Sequence, residues 1–505
     1  VDTLGLMLGG VQNALAPEFF LLCLVGVVVG MLVGVLPGIG AIAAISLALP
    51  ITFHLDPTGA LVMLAGIFYG TQYGGSTASI LLNLPGTATA AVTCLDGYPM
   101  ARKGKAGVAL FITTITSFIG ATVAILVMVA FMPVLARVAL NFGAAEYFAV
   151  MFMGLIAASA LTVGSPIKGL AMVVVGIALG LVGVDINSGQ FRLIFGSYNL
   201  MDGISLVALA MGLFGVSEVF ASMTRNLDGY TTPKVRLRDL IPSRDEFRAS
   251  LMPAIRGAIS GTLLGALPGV GASVTSFFAY AVEQKIARDP SRFGQGAIEG
   301  IAAPEAANNA TTQASFIPTL SLGIPGDAVM AIMLGAMMIH GITPGPRFIT
   351  DHDVMFWTLV GSFWVGNFLL LILNIPLVGI WVRILSVPRH ILYPAVLFFV
   401  CVGVYSTRNN VFDIYLTLFF GFVGYLMAMR KYPPAPLLLG FVLGPMMEEN
   451  LTRALVLSRG DPTVFFTRPI SGTILSITLV VLAITLFGPL WRKHKARRAG
   501  STPGP

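Results

Sequence analysis

Apolar residues in this chain come in long runs rather than in the narrow stripes of a soluble fold. They lie near 18–51, 59–95, 107–132, 145–163, 168–184 and 202–221. A second set lies near 251–281, 300–340, 354–382, 391–406, 411–429, 434–457 and 470–490. With about 20 apolar residues needed per crossing, the pattern predicts an all-α integral membrane protein with about 11–12 transmembrane segments. The longest polar interval, 222–250, separates a first half (1–221) from a second (251–490), and a basic tail (491–505) follows.

Composition agrees with the pattern. The 505 residues are 56% hydrophobic and 10% charged, with a mean hydropathy of +0.87; a soluble domain carries about 25% charged residues. The formal charge of +7 does not point to nucleic acid, because the basic residues sit in short loops and the tail. Cys23, Cys94 and Cys401 are too far apart for a metal or disulfide framework. No basic segment and small-residue cleavage site open the chain, so no signal peptide is expected.

The basic residues also predict a topology. If 18–51 and 251–281 each enter and leave on one face, simple alternation puts 22 Lys and Arg on the cytoplasmic side and 7 outside, with Arg256 at the mouth of the second hairpin. The linker 222–250 is then cytoplasmic. The weak point is 448–468, whose Arg453, Arg459 and Arg468 fall on the outer side.

The two halves share motifs. Gly34-Val-Leu-Pro-Gly-Ile-Gly40 recurs as Gly265-Ala-Leu-Pro-Gly-Val-Gly271, an offset of 231 residues. Ser79-Ile-Leu-Leu-Asn-Leu-Pro-Gly86 recurs as Thr319-Leu-Ser-Leu-Gly-Ile-Pro-Gly326, an offset of 240. The loop after the first motif is basic only in the second half, and the loop after the second motif reverses this. Opposite charge bias predicts inverted repeats, and paired Pro-Gly interruptions of hydrophobic segments are the mark of a secondary transporter.

Proline removes an amide donor and glycine accepts angles that no helix uses, so Leu-Pro-Gly-x-Gly in mid-run predicts a break. Hairpins 18–51 and 251–281 are expected to be re-entrant; a kinked crossing helix is the plainer alternative. Segments 59–95 and 300–340 are expected to be broken helices. Non-helical backbone at membrane depth must be buried in protein or line a watery cavity. Freed amides and helix N-termini there suit carboxylates, and freed carbonyls suit Na⁺. Polar side chains concentrate at the same places, in Tyr69–Ser79 and in Pro304–Ser315 with Asn308-Asn309-Ala-Thr311-Thr312-Gln313. Small hydroxyl residues also serve helix packing in membranes, but five amide or hydroxyl side chains in six positions are many for packing alone. Glu305 and Asp327 are ionisable groups in apolar surroundings and so functional candidates. Asp327 suits a cation, whereas Glu305 equally suits a helix cap after Pro304.

No Gly-x4-Gly-Lys-Ser/Thr loop is present, so transport by this chain would draw on an ion gradient. No His-Glu-x-x-His, Gly-x-Ser-x-Gly or His/Cys cluster supports an enzyme. A passive anion channel is the alternative reading, although no ring of like charges appears.

At Gly34–Gly40, Tyr69–Gly86 with Asp96-Gly-Tyr-Pro99, Gly265–Gly271 and Pro304–Gly345, the sequence resembles the large membrane subunit of the tripartite tricarboxylate transporter family. The resemblance extends to Tyr432–Gly440 and Glu448-Glu-Asn450. It implies a small four-helix membrane subunit and a periplasmic solute-binding protein as partners, a citrate-like carboxylate as substrate, and location in a bacterial inner membrane. It further implies Na⁺ or proton coupling and an elevator-type movement. On this reading Ser76, Thr77, Asn83, Asn309, Thr311 and Thr312 are expected to contact substrate. Backbone at Gly38, Gly40, Gly269 and Gly271, with Asp327, is expected to hold Na⁺.

Overall fold

The computed structural model describes residues 3–36, 40–139, 141–160, 162, 165–185, 188–223, 237–345, 347–385 and 389–498. Gly38 of the first motif and positions 224–236 of the linker lie outside the described residues. Among those described, the sheet is one two-stranded ribbon, Gly183–Val184 against Phe191–Arg192; nearly all else is helix.

The chain divides into two compact units, Val1–Leu140 with Ser205–Ala428, and Asn141–Ile204 with Met429–Pro505. The first unit opens with α1 (Thr3–Ala14), α2 (Pro17–Val35), α3 (Gly40–Thr52), α4 (Pro57–Leu82), α5 (Thr93–Met100) and α6 (Ala106–Ala139). The second begins with α7 (Ala144–Ala160), α8 (Pro166–Gly180) and the ribbon. The chain returns to the first unit with α9 (Leu206–Ala210), α10 (Ser217–Met223), α11 (Arg244–Gly265), α12 (Gly271–Ile286), α13 (Glu299–Ala314), α14 (Phe316–Leu322) and α15 (Ala328–Ile339). Helices α16 (Phe348–Asp351), α17 (Asp353–Asn374), α18 (Val378–Ile384), α19 (Arg389–Arg408) and α20 (Val411–Met429) complete it. The second unit ends with α21 (Pro434–Leu457), α22 (Val464–Thr467) and α23 (Pro469–Arg498).

The hydrophobic pattern is turned inside out relative to a soluble fold. Leu21, Leu126, Phe131, Leu263, Phe277 and Phe278 are exposed on helix surfaces, where lipid is their natural solvent. Helices α4 and α13, which carry the clusters of hydroxyls and amides, are buried without interruption over Gly59–Leu82 and Gly300–Ala314. Among the described residues, five helices are long and apolar enough to cross a membrane: Pro17–Val35, Thr93–Leu135, Asp353–Asn374, Val411–Met429 and Pro469–Phe487. Six shorter apolar helices accompany them.

Each polar helix is gripped by a hairpin arm through glycines. Gly26, Gly30 and Gly34 of α2 lie so close to α4 that an added Cβ would stand 2.3–2.4 Å from the carbonyl oxygens of Met63, Ile67 and Thr71. Gly66, Gly70 and Gly74 of α4 return the contact against the backbone of α2. In the other half an added Cβ on Gly257 or Gly261 of α11 would stand 2.2 or 2.4 Å from the Ala303 or Ala307 carbonyl oxygen of α13, and one on Gly265 would meet Thr311. These residues match those of the first half at the same two offsets, 231 and 240, so the sequence motifs and the packing repeat together. Without a hydrophobic force between helices in lipid, such backbone proximity is what holds the pair. On its other side α13 meets Gly120 of α6, whose Cβ would lie 2.1 Å from the Ala306 oxygen.

Helix α11 begins with a capping box: Ser243 Oγ accepts from Glu246 N–H at 3.3 Å, and Glu246 Oε2 accepts from Ser243 N–H at 2.8 Å. Lys105 bonds Glu246 at 2.8 Å, and its ammonium helps hold that carboxyl below the usual range. Arg256 closes the second hairpin with a two-bond pair to buried Glu283, at 2.6 and 2.7 Å. In the second unit, Gly176 of α8 and Gly440 of α21 pack reciprocally against Leu437 and Val173. The arginines that weakened the charge count there include paired ones: Arg468 meets buried Glu146 at 2.6 Å and Arg453 meets Glu449 at 2.5 Å. Arg192 bridges Asp185 and Glu448.

Gly30→Val should overpack the α2–α4 seam, lowering stability by about 1–3 kcal/mol or more. Gly9→Ala, where nothing lies within 4 Å, should be neutral or slightly stabilising. Detergent-solubilised thermal unfolding and size-exclusion profiles compare the two; equal profiles would refute the packing account.

Candidate functional site

Both predicted breaks are formed, and each is met by the tip of a hairpin. Helix α4 ends at Asn83, which is left-handed (φ 57°), and α14 ends at Gly323 (φ 68°), the matching position at offset 240. Past the first break Gly86 donates to the Gly75 carbonyl at 3.4 Å. A Cβ on Gly86 would lie 2.1 Å from the Gly34 oxygen at the end of α2, so only glycine admits this approach. At the second break Gly269 of the α11–α12 tip donates its N–H to Gly326 O at 2.8 Å. The second arms then start on left-handed glycines, Gly40 (φ 70°) for α3 and Gly271 (φ 67°) for α12. Asp327 caps α15, its Oδ1 accepting from Met330 N–H at 2.9 Å, and a Cβ on Gly271 would lie 3.8 Å from Asp327 Cβ. Gly269, Gly271 and Asp327 are therefore one cluster, and Gly40 belongs to the other tip.

Between the central helices lies a polar knot around Glu305. Ser76 Oγ of α4 donates toward the Glu305 carboxylate, 2.7 Å from each oxygen, and Thr93 Oγ1 of α5 donates to Oε1. Ser117 Oγ of α6 lies 3.4 Å from Oε2. Asn309 Nδ2 donates to Ser117 Oγ at 2.8 Å and to the Glu305 backbone oxygen at 3.1 Å. Four helices meet at one carboxyl, which is 1% exposed. Pro304 sits inside α13 rather than at its start, so Glu305 is not a cap; the capping acid is Asp327.

Of the expected substrate contacts, the structure brings Ser76 and Asn309 together at Glu305 and places Thr77 beside Ser76, buried on α4. Thr311 serves the hairpin, donating to Gly261 O at 3.0 Å and pairing with Thr275 Oγ1 at 2.7 Å. Thr312 bonds back to Asn308 O at 2.9 Å within its own helix. Asn83 is exposed at the break. The group that the choice of residues missed is Asn308. It is 1% exposed, and among the described residues neither its Nδ2 nor its Oδ1 has a hydrogen-bond partner; Gln313 Oε1 shares that state. A buried polar group left unpaired costs about 1–3 kcal/mol, and a ligand supplying both a donor and an acceptor, such as a hydroxycarboxylate, would remove it. The sequence placed Asn308 in the polar cluster but carried no sign of which amides the fold would satisfy. Asp96, from the motif Asp96-Gly-Tyr-Pro99, has a structural post. Its Oδ1 accepts from the N–H groups of Gly296 and Ala297 at 2.6 and 2.7 Å, and Tyr280 donates to Oδ2 at 3.0 Å.

Residues 20–439 match the model of a protein family described as the tripartite tricarboxylate transporter TctA family. The chain belongs to this family. It is therefore a multi-pass membrane transport protein for carboxylates, part of a multi-component system, and not an enzyme. It is 48% identical over 485 residues, 96% of both chains, to an uncharacterised 52.8 kDa protein in the TAR-I ttuC′ 3′ region of Agrobacterium vitis. A second Agrobacterium vitis protein, uncharacterised and in the TAR-II ttuC′ 3′ region, is 51% identical over 234 residues, 46% of this chain and 97% of the relative. No solved structure matches.

Asn308→Leu should leave stability unchanged or raised while increasing the transport KM roughly tenfold, about 1.4 kcal/mol of lost binding. Thr311→Val, which removes the bonds tying α13 to both arms of its hairpin, should instead lower stability by about 0.5–1.5 kcal/mol. Thermal unfolding together with uptake kinetics separates the two, and a wild-type KM in Asn308→Leu would remove that residue from the site.

Proposed function

We propose that this protein is an ion-gradient-driven importer of a di- or tricarboxylate of the citrate type, working in a bacterial inner membrane. A periplasmic solute-binding protein delivers the substrate, and a small four-helix membrane subunit docks on the helices outside the core. The observation that carries the reading is the duplicated tip-on-break arrangement, in which Gly34 meets Gly86 and Gly269 meets Gly326. Two breaks of this kind bring non-helical backbone deep into the protein beside a band of hydroxyls and amides, which is the setting a polyanion and its co-ion need.

Neutral donors bind a carboxylate without burying a compensating charge, and Asn308, Gln313 and Thr77 supply them. A substrate of two or three negative charges still needs a cation to travel with it. The second tip, with Gly269, Gly271 and Asp327, is the place for Na⁺; Gly40 is its counterpart at the first tip. With the halves in opposite orientation, the two hairpins and two broken segments form a core that moves against the remaining helices in an elevator manner, exposing the site to each side in turn.

Radiolabelled citrate uptake into proteoliposomes holding all three components tests this, with Na⁺ and proton gradients imposed or collapsed separately. Accumulation above equilibrium should require a gradient, and Asp327→Ala should reduce the Na⁺-driven part at least tenfold. Uptake that saturates nowhere and ignores every gradient would replace the carrier with a passive channel.

A further inference from the structure

The geometry points to Glu305 as a proton-carrying site of the transport cycle, a group that takes up a proton on one side of the membrane and gives it up on the other. This rests on the carrier reading and goes beyond it, because it names one coupling ion and the atom that holds it.

The carboxyl lies among α4, α5, α6 and α13, and among the described residues no Lys, Arg or His forms a salt bridge with it. The titratable groups within electrostatic reach are Tyr73 of α4 and Cys94 of α5, neither of them a cation. At the N-terminal end of α13, Asp96 and Tyr280 bond each other. On α11 and α12, Arg256 and Glu283 are spent on their own pair. A carboxylate buried without a cation is costly, and a proton removes that cost.

The hydroxyls around it are arranged to serve both protonation states. When Glu305 is ionised, Ser76 donates to it at 2.7 Å, and Thr93 and Ser117 point at the same carboxyl. When Glu305 is protonated, its O–H donates to Ser76 Oγ, and the Ser76 hydrogen turns to the Gln72 carbonyl at 3.3 Å. One proton enters from water and no bond is left unmade. Asn309, by donating to Ser117 Oγ, keeps that hydroxyl's own hydrogen free for the carboxyl. Hydroxyl oxygens held at hydrogen-bond distance leave no room for a metal cation between them and the carboxylate, so the ligand this site fits is the proton.

The test uses the three-component proteoliposomes with wild-type protein, Glu305→Gln and Glu305→Asp. A proton gradient should drive accumulation in the wild type and at least tenfold less in Glu305→Gln. That variant should keep substrate counterflow and its response to a Na⁺ gradient, and Glu305→Asp should restore part of the proton response with a shifted pH profile. In pH-difference infrared spectra of purified protein, a protonated-carboxyl C=O band should appear on acidification and be missing from Glu305→Gln. Proton-driven accumulation at wild-type level in Glu305→Gln would overturn the inference alone, as would an infrared band unchanged in that variant. Wild-type uptake indifferent to all gradients would overturn the carrier reading and this inference with it.

Discussion

The close approach of a glycine-lined hairpin arm to a polar central helix is the contact on which the rest of this structure depends. In lipid, every backbone donor and acceptor must find its partner within the protein. A helix break is therefore tolerable only where other backbone comes within reach. Gly26, Gly30 and Gly34 bring α2 onto α4, and Gly257, Gly261 and Gly265 bring α11 onto α13, so that each hairpin tip arrives at a break. At the second tip this yields the Gly269–Gly326 hydrogen bond; at the first, Gly34 against Gly86. Larger side chains along either seam would lift the tips away and leave the breaks unmet.

With the tips holding the breaks, α4 and α13 can stay polar at the centre of the first unit. Their hydroxyls, amides and one carboxyl divide into three kinds of use. Some are structural, such as Thr311 tying α13 to both arms of its hairpin; Asp96 of α5 does similar work, gathering the N–H groups ahead of α13. Some gather at Glu305, where α4, α5, α6 and α13 share one buried acid. A few, above all both polar atoms of Asn308 and Oε1 of Gln313, are buried and have no partner among the described residues. On the proposed reading, transport chemistry belongs to the last two groups, because an unpaired or proton-exchanging side chain has more to offer a ligand than one spent on packing.

The two compact units also cut across the sequence halves. Part of the first half, α7 and α8, packs with α21 and α23 from the end of the second, sealed by Gly176, Gly440 and the Arg468–Glu146 pair. Arg468 and Arg453, which looked out of place in a count of loop charges, are in ion pairs in the fold.

By itself the sequence determined the membrane class, the helical architecture, the position of each break and the pairing of the two motifs, because these follow from local rules. Apolar run length decides what can enter lipid, and Pro-Gly decides where a helix must stop. The resemblance carried in Gly34–Gly40, Tyr69–Gly86 and Pro304–Gly345 was enough for the family. Only the tertiary structure decided which polar residues are spent on packing and which are left over. Ser76 and Asn309 join Glu305, Thr311 ties α13 to its hairpin, Thr312 closes a local bond, Asn83 is an exposed left-handed cap, and Asp327 rather than Glu305 caps a helix. That division is set by neighbours tens to hundreds of residues away, such as Ser117 for Asn309 and Thr93 for Glu305. One sequence read along its length shows which groups can hydrogen-bond, whereas the partner each one finds depends on which helix faces arrive beside it.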